Sequence, residues 1–153
     1  MLQTYNWGNW QQNAPSHQIS KVLVLIMNLK NIFKKFVLLD LLLIILVIST
    51  VFFENETIAS FNEHVDQTTD MLLLVTFIYL VIWLVSLYFL YKFKKNGKQL
   101  YFFTFIFGVI LSLLMGASAQ SSISYVVDGL SWANSGAILT LLYFSPIKKE
   151  FDK

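Results

Sequence analysis

The sequence predicts an all-α membrane protein with four transmembrane helices in an antiparallel bundle and both termini on the cytoplasmic side. The chain has 153 residues, of which 56% are hydrophobic and 13% are charged. A soluble domain is nearer half apolar and about a quarter charged. The apolar residues also fall in four long runs. The segments before, between and after these runs are alternately lysine-containing and lysine-free. These three observations together carry the prediction.

The four predicted spans are close to the length that a membrane crossing requires, about 20 helical residues for a bilayer core of about 30 Å. They cover about residues 36–53, 71–93, 100–118 and 127–147. The fourth is the most polar, since it contains Asp128 and Asn134, and such a segment inserts with help from neighbouring helices. Residues 31–153 therefore form the predicted membrane domain. Residues 1–30 are predicted to be a disordered tail, with Met27 as an alternative start of the protein.

The distribution of lysine sets the predicted orientation. All eleven basic residues are lysine. They precede the first span, fill the loop 92–98 between the second and third, and follow the fourth, whereas the other two loops contain none. By the positive-inside rule the lysine-bearing side is cytoplasmic. The lysines closest to the spans are the predicted headgroup anchors: Lys34, Lys35, Lys92, Lys94, Lys95, Lys98, Lys148 and Lys149.

Aromatic residues collect at the same predicted boundary. They are typical of an interfacial belt, in which amphipathic rings lie at the depth of the headgroups. A cage around a ligand is the alternative that we consider less favoured. The set consists of Tyr88, Tyr91, Phe93, Tyr101, Phe102, Tyr143 and Phe144.

Small residues recur every four positions in the third and fourth spans. Such a stripe lets two helix backbones approach closely in lipid. Because the two spans are joined by a short loop, we expect the stripes to pack against each other in an antiparallel hairpin. A homodimer interface or a substrate passage along the stripe is the alternative. The stripe residues are Gly108, Ser112, Gly116, Gly129, Ala133 and Ala137.

Two polar residues within the predicted spans are candidates for a functional site, Asp40 and Asn134. We expect Asn134 to hydrogen-bond across to Ser118 or Gln120, as structural glue. Asp128, at the predicted start of the fourth helix, is expected to cap its free N–H groups.

Asp40 stands among leucine, isoleucine and valine, about 7 Å along the helix axis from Lys35. It either reaches toward headgroups, water or a lysine, or faces inward and binds a proton, a cation or a polar substrate. The expected partners at its depth are Tyr88, Thr104, Thr140 and Tyr143.

Several kinds of chemistry are disfavoured. The chain has no cysteine, which excludes disulfides and thiolate metal sites. It has no arginine, which disfavours recognition of nucleic acid. The acidic loop between the first two spans contains His64 and Asp66, but one such cluster suits a solvated loop better than a metal site. Within this loop Ile58, Phe61 and Val65 have helical spacing, which predicts a short surface helix. We expect no enzyme activity, cofactor or metal.

The chain ends in GAILTLLYFSPIKKEF, from Gly136 to Phe151. This aromatic pair, Ser-Pro break and basic stretch closing on Phe resembles the last helix of small, uncharacterised four-helix bacterial inner-membrane proteins. The resemblance implies a multi-pass protein of the bacterial inner membrane and implies no activity. The residues agree physically, because Pro146 ends a helix and the lysines that follow it suit anionic headgroups.

Three functional hypotheses follow. The leading one is a non-enzymatic accessory or interaction subunit in the lipid bilayer, whose partner is another membrane protein or a second copy of the chain. The competing one is a small transporter or ion-conducting oligomer in which Asp40 is the coupling residue. The third is a membrane sensor whose acidic outer loop responds to cations.

Overall fold

The computed structural model describes residues 16–50, 52, 54–65, 70–115 and 118–152, with side chains from residue 27 onward. Within these ranges the chain is helical and contains no strand, which confirms the predicted all-α class there. Residues 1–15 of the predicted tail lie outside the described residues, whereas residues 16–30 belong to the first helix. The elements are α1 (Ser16–Thr50), α2 (Glu56–Val65), α3 (Asp70–Tyr91), α4 (Lys95–Leu114), α5 (Ser122–Phe144) and a 3-10 helix, Pro146–Glu150.

Two helices of the described part are long and apolar enough to cross a membrane, α3 and α4, judged by length and composition. These helices coincide with the second and third predicted spans. The apolar half of α1 is interrupted by Lys34, Lys35 and Asp40, and α5 carries Asp128 and Asn134. The helices that are less apolar are therefore the two that bring charged and amide side chains into the protein.

The helices pair differently from the sequence expectation. The extensive contacts are between α3 and α4 and between α1 and α5, while α4 and α5 touch at few points. The expected α4–α5 hairpin of small-residue stripes is therefore wrong. A short loop between two helices allows them to pair but does not force them to. Here α4 packs mainly against α3, and α5 packs mainly against α1. The close approach of α3 and α4 occurs at Gly97, whose position leaves no room for a Cβ beside the backbone of Phe89.

The start of α5 also differs from expectation. The helix begins at Ser122, and the Ser121 side chain caps it by accepting a hydrogen bond of 3.2 Å from the backbone N–H of Ser124. Asp128 lies more than one turn inside the helix, so the expectation that it caps the helix is wrong. Its carboxylate instead accepts a hydrogen bond of 2.6 Å from the Gln120 side chain.

One end of the helices, here called the inner end, is formed by residues 30–37, 90–101 and 142–151. Three aromatic rings meet there, Phe33, Phe93 and Phe151, with centroids 5.3–5.8 Å apart. Ile147 and Phe151 are buried beneath the helices. The 3-10 helix thus folds back under α1, where Glu150 forms an ion pair of 2.7 Å with Lys30.

The opposite end, here called the outer end, is formed by residues 47–50, 54–62, 70–80, 108–115 and 118–131. Helix α2 lies there, as the spacing of Ile58 and Phe61 predicts. It is joined to the segment before α5 by Asn62, whose amide donates to the Ala119 carbonyl at 3.0 Å and accepts from the Ala119 N–H at 2.8 Å.

Candidate functional site

The candidate site is built around Asp40, whose side chain is completely buried. Buried residues on α1 recur at positions 33, 37, 40 and 44, the spacing of a single helix face. Asp40 therefore faces the other helices, as the inward-facing interpretation requires, while binding of a proton, a cation or a substrate there stays a prediction. An ionised carboxylate in such surroundings is costly unless other groups compensate it.

Four side chains from three other helices donate hydrogen bonds to this carboxylate. Oδ2 accepts from the indole N–H of Trp83 on α3 at 3.1 Å and from the hydroxyl of Tyr101 on α4 at 3.2 Å. Oδ1 accepts from the amide of Asn134 at 2.8 Å and from the hydroxyl of Ser135 at 3.3 Å, both on α5. The four long helices thus meet at one acidic side chain.

Both carboxylate oxygens lie within hydrogen-bond distance of two donors each, which is the arrangement that an ionised carboxylate requires. All four donors are neutral. Among the residues that the structure describes, no lysine forms an ion pair with Asp40. When the Asp40 carboxyl group is ionised, its negative charge is stabilised by neutral dipoles alone, which is the condition in which a cation would be attracted.

Asn134, the second predicted site residue, belongs to the same cluster. Its amide donates to Asp40 and also to the backbone carbonyl of Phe36 at 3.2 Å. Its own oxygen is buried and has no hydrogen-bond partner. The expected partners Ser118 and Gln120 are therefore wrong. Asp40 and Asn134, the two candidates selected from the sequence, contact each other, which the sequence analysis did not predict.

The partners expected for Asp40 are also wrong. Tyr88 is exposed, and the hydroxyls of Thr104 and Thr140 donate to backbone carbonyls of their own helices. The actual donors on α3 and α5, Trp83 and Asn134, lie five and six residues before Tyr88 and Thr140. The donors on α3 and α5 thus lie about 7–9 Å nearer the outer end than expected, whereas the α4 donor, Tyr101, lies three residues nearer the inner end than Thr104.

Tyr101 was expected in the interfacial belt, but its side chain is buried and reaches Asp40. The rings of Tyr91 and Phe93 have the ammonium group of Lys34 above them, at 5.0 and 5.7 Å from the ring centroids. Lys98 lies in the same way 4.8 Å from the ring centroid of Tyr143. That these lysines and rings contact headgroups stays a prediction.

The small-residue stripe is divided between two environments. Gly108 packs against the Tyr79 side chain of α3, so this part of the stripe receives a ring and not a helix backbone. Gly129 has open space where a Cβ would lie, and Ala133 beside it is exposed. Gly116 lies outside the described residues.

A cleft of about 230 Å³ lies between α1, α3, α4 and α5 on the outer side of Asp40. Tyr79, Trp83 and Trp132 contribute aromatic walls, while Asp128 and Ser135 line it at positions seven residues apart on α5. That separation is about 10 Å along one helix face. Because Trp83 and Ser135 also donate to Asp40, the cleft and the buried carboxylate share two side chains.

No protein-family model, curated protein or solved structure matches this chain. The chemistry of the site therefore has to be argued from the residues themselves. The sequence analysis missed Trp83, Tyr101 and Ser135 as site residues. The available signal was the presence of hydrogen-bond donors within otherwise apolar runs, but Trp and Tyr also occur in such runs for packing and at interfaces.

Proposed function

We propose that the protein is an integral membrane protein with four spans that moves a cation across the bilayer, with Asp40 as the coupling residue. Helices α1, α3, α4 and α5 are the spans in this proposal. Both termini and the loop 92–98 are placed on the cytoplasmic side by the distribution of lysine. The inner end of the helices is then the cytoplasmic end. The proposal includes no enzymatic activity.

The observation that carries this proposal is the buried carboxylate of Asp40, held by four neutral donors and adjoined by a cleft. Ionisable groups within spanning helices are rare because they are costly in the bilayer, and they mark ion and substrate pathways. A purely structural contact between four helices would require only neutral polar groups. A carboxylate adds a negative charge, and a cation is what such a charge selects.

The test is potential-driven flux into proteoliposomes that contain the purified protein, with proton entry followed by an internal pH-sensitive dye and the entry of rubidium and of a small organic ammonium ion followed by tracers. We expect flux with the parent protein and a fall to the level of empty liposomes with Asp40→Asn. Asp70→Asn is the matched control, because Asp70 is an exposed carboxylate at the start of α3. The flux of this variant should equal that of the parent protein.

Gel filtration and circular dichroism identify the variants that are folded, and flux is compared only among those. Parental flux in a folded Asp40→Asn protein, or no flux above empty liposomes with the parent, would remove the transport proposal. Reporter fusions after Gly97 and at residue 67 test the topology independently, and they should report opposite sides of the membrane.

A second candidate is the accessory or interaction subunit, and the open face of α5 favours it. Gly129 has no atom within 4 Å of the position of a Cβ, and the same holds for Gly136. In lipid such a face admits a second helix, from another membrane protein or from a second copy of the chain. Loss of a co-purifying membrane protein, or of a dimer, on Gly129→Leu with unchanged flux would support this candidate.

A further inference from the structure

We propose that the cleft on the outer side of Asp40 is a binding site for a compact organic ammonium ion. The inference rests on the proposed transport function and deepens it by naming the class of cation. It is carried by the shape of the cleft, by the hydrogen-bonding state of its hydroxyl groups and by the two carboxylates at its ends.

The size and the walls of the cleft favour an organic cation over a bare metal ion. A volume of about 230 Å³ is much larger than an inorganic ion needs and is suited to an amine with a small organic body. Three of the lining side chains are the rings of Tyr79, Trp83 and Trp132. Aromatic rings attract ammonium groups through their quadrupole and cover the apolar part of the same ligand.

Three hydroxyl groups of the cleft already donate their hydrogen atoms within the protein. Thr76 donates its hydroxyl hydrogen to the Leu72 carbonyl at 2.9 Å, and Ser112 donates to the Gly108 carbonyl at 3.0 Å. Ser135 donates to Asp40. A hydroxyl has one hydrogen to give, so all three present only oxygen lone pairs to a ligand. A ligand with N–H groups can donate to these three oxygens.

The charges of the cleft agree with its hydrogen-bonding groups. The Asp128 carboxylate lines the cleft, and Asp40 lies behind Trp83 and Ser135 at the other end. Among the described residues that line the cleft there is no lysine and no histidine. In an environment less polar than water, two carboxylates and no cation create a field that favours a positive ligand.

Binding is tested by calorimetry on the full chain in a neutral detergent, with phenethylammonium as the probe and 2-phenylethanol as a neutral molecule of similar size. We expect saturable binding of the amine and none of the alcohol at equal concentrations. Asp128→Asn should weaken amine binding about tenfold, since it removes one charge partner in a partly desolvated site. Asp70→Asn is the matched control, because Asp70 does not line the cleft, and it should leave binding unchanged.

Trp132→Leu provides a second variant should Asp128→Asn fail to fold, and it should also weaken amine binding. Equal binding of amine and alcohol, or undiminished amine binding in both folded variants, would overturn the inference. The assay contains no membrane gradient. Absent amine binding with intact Asp40-dependent flux would therefore defeat this inference alone, whereas amine binding without flux would defeat the transport proposal and leave the cleft as a binding site.

Discussion

The two ends of the protein are built in opposite ways. At the inner end, Phe33, Phe93 and Phe151 close the space between the helices, and Ile147 fills the remainder. At the outer end the same helices leave a cleft, and the buried residues of α3 are confined to its last turns. Asp40 lies between the two regions. The difference indicates that the helices are closed on the inner side of Asp40 and separated by a cleft on its outer side.

The largest effect is expected from removing the carboxylate that separates these regions. Asp40→Ala leaves four donors without an acceptor, and unsatisfied buried donors cost about 1–3 kcal/mol each, partly offset by removal of the buried charge. We expect a loss of about 4 kcal/mol in the free energy of unfolding, a figure typical of breaking a buried charged network. Detergent-based denaturation followed by circular dichroism measures it.

Asp70→Ala serves as the control for that measurement, since Asp70 is an exposed carboxylate in the first turn of α3. It should shift the free energy of unfolding by less than about 0.5 kcal/mol. If Asp40→Ala unfolds at the same denaturant concentration as the parent, the four hydrogen bonds do not hold the helices together, and the inner and outer regions are not joined through this residue.

The next effect is expected at the inner end. Phe151→Ala removes one of the three rings that close it, and loss of a buried Phe costs about 3–5 kcal/mol in a rigid core. Because the 3-10 helix is at the edge of the fold, we expect a smaller loss of about 2–3 kcal/mol in the free energy of unfolding. Phe144→Ala is the matched control, since the Phe144 ring is 86% exposed.

The measurement for this pair is again the free energy of unfolding in detergent. A sealed inner end also requires that Phe151→Ala admits water toward Asp40, so hydrogen exchange around residues 37–44 should rise in that variant and not in Phe144→Ala. Equal stability of the two variants would show that the inner end is not closed by its aromatic cluster.

The sequence predicted the helices better than it predicted their neighbours. Apolar runs marked α3 and α4 to within a few residues, because hydrophobic length is a local property. The early start of α1 at Ser16 was missed, since its first part is not continuously apolar. The pairing of α1 with α5 depends on which helix faces fit together, and loop length alone does not contain that information.

At the site, too, local features could be predicted and contacts between helices could not. Asp40 and Asn134 could be selected from the sequence because charged and amide groups are unusual in apolar runs. Their mutual contact at 2.8 Å could not be predicted from the sequence, and neither could the donors Trp83 and Tyr101. These depend on the depth of each helix relative to the others, and an error of one turn exchanges Trp83 for Tyr88. A rule for partners at equal depth is therefore too coarse when side chains as long as Trp and Tyr reach several ångströms along the helix axis.

The smallest effect is expected at the outer end, where Asn62 joins α2 to the Ala119 backbone through two hydrogen bonds. Asn62→Ala removes both, and part-buried hydrogen bonds contribute about 0.5–1.5 kcal/mol each. Since the helices leave a cleft at the outer end, this loss should act locally. We expect faster hydrogen exchange over residues 56–64 by about tenfold, with little change in global unfolding.

Ser60→Ala is the matched control, because the exposed Ser60 hydroxyl bonds only within α2, to the Thr57 carbonyl. If α2 covers the route to the cleft, releasing it with Asn62→Ala should also speed the association of phenethylammonium while leaving its affinity nearly constant. Slower exchange in α2, or a change equal to that of Ser60→Ala, would mean that the Asn62 contact does not fix this helix. The opening at the outer end would then result from the packing of α3, α4 and α5 and not from the position of α2.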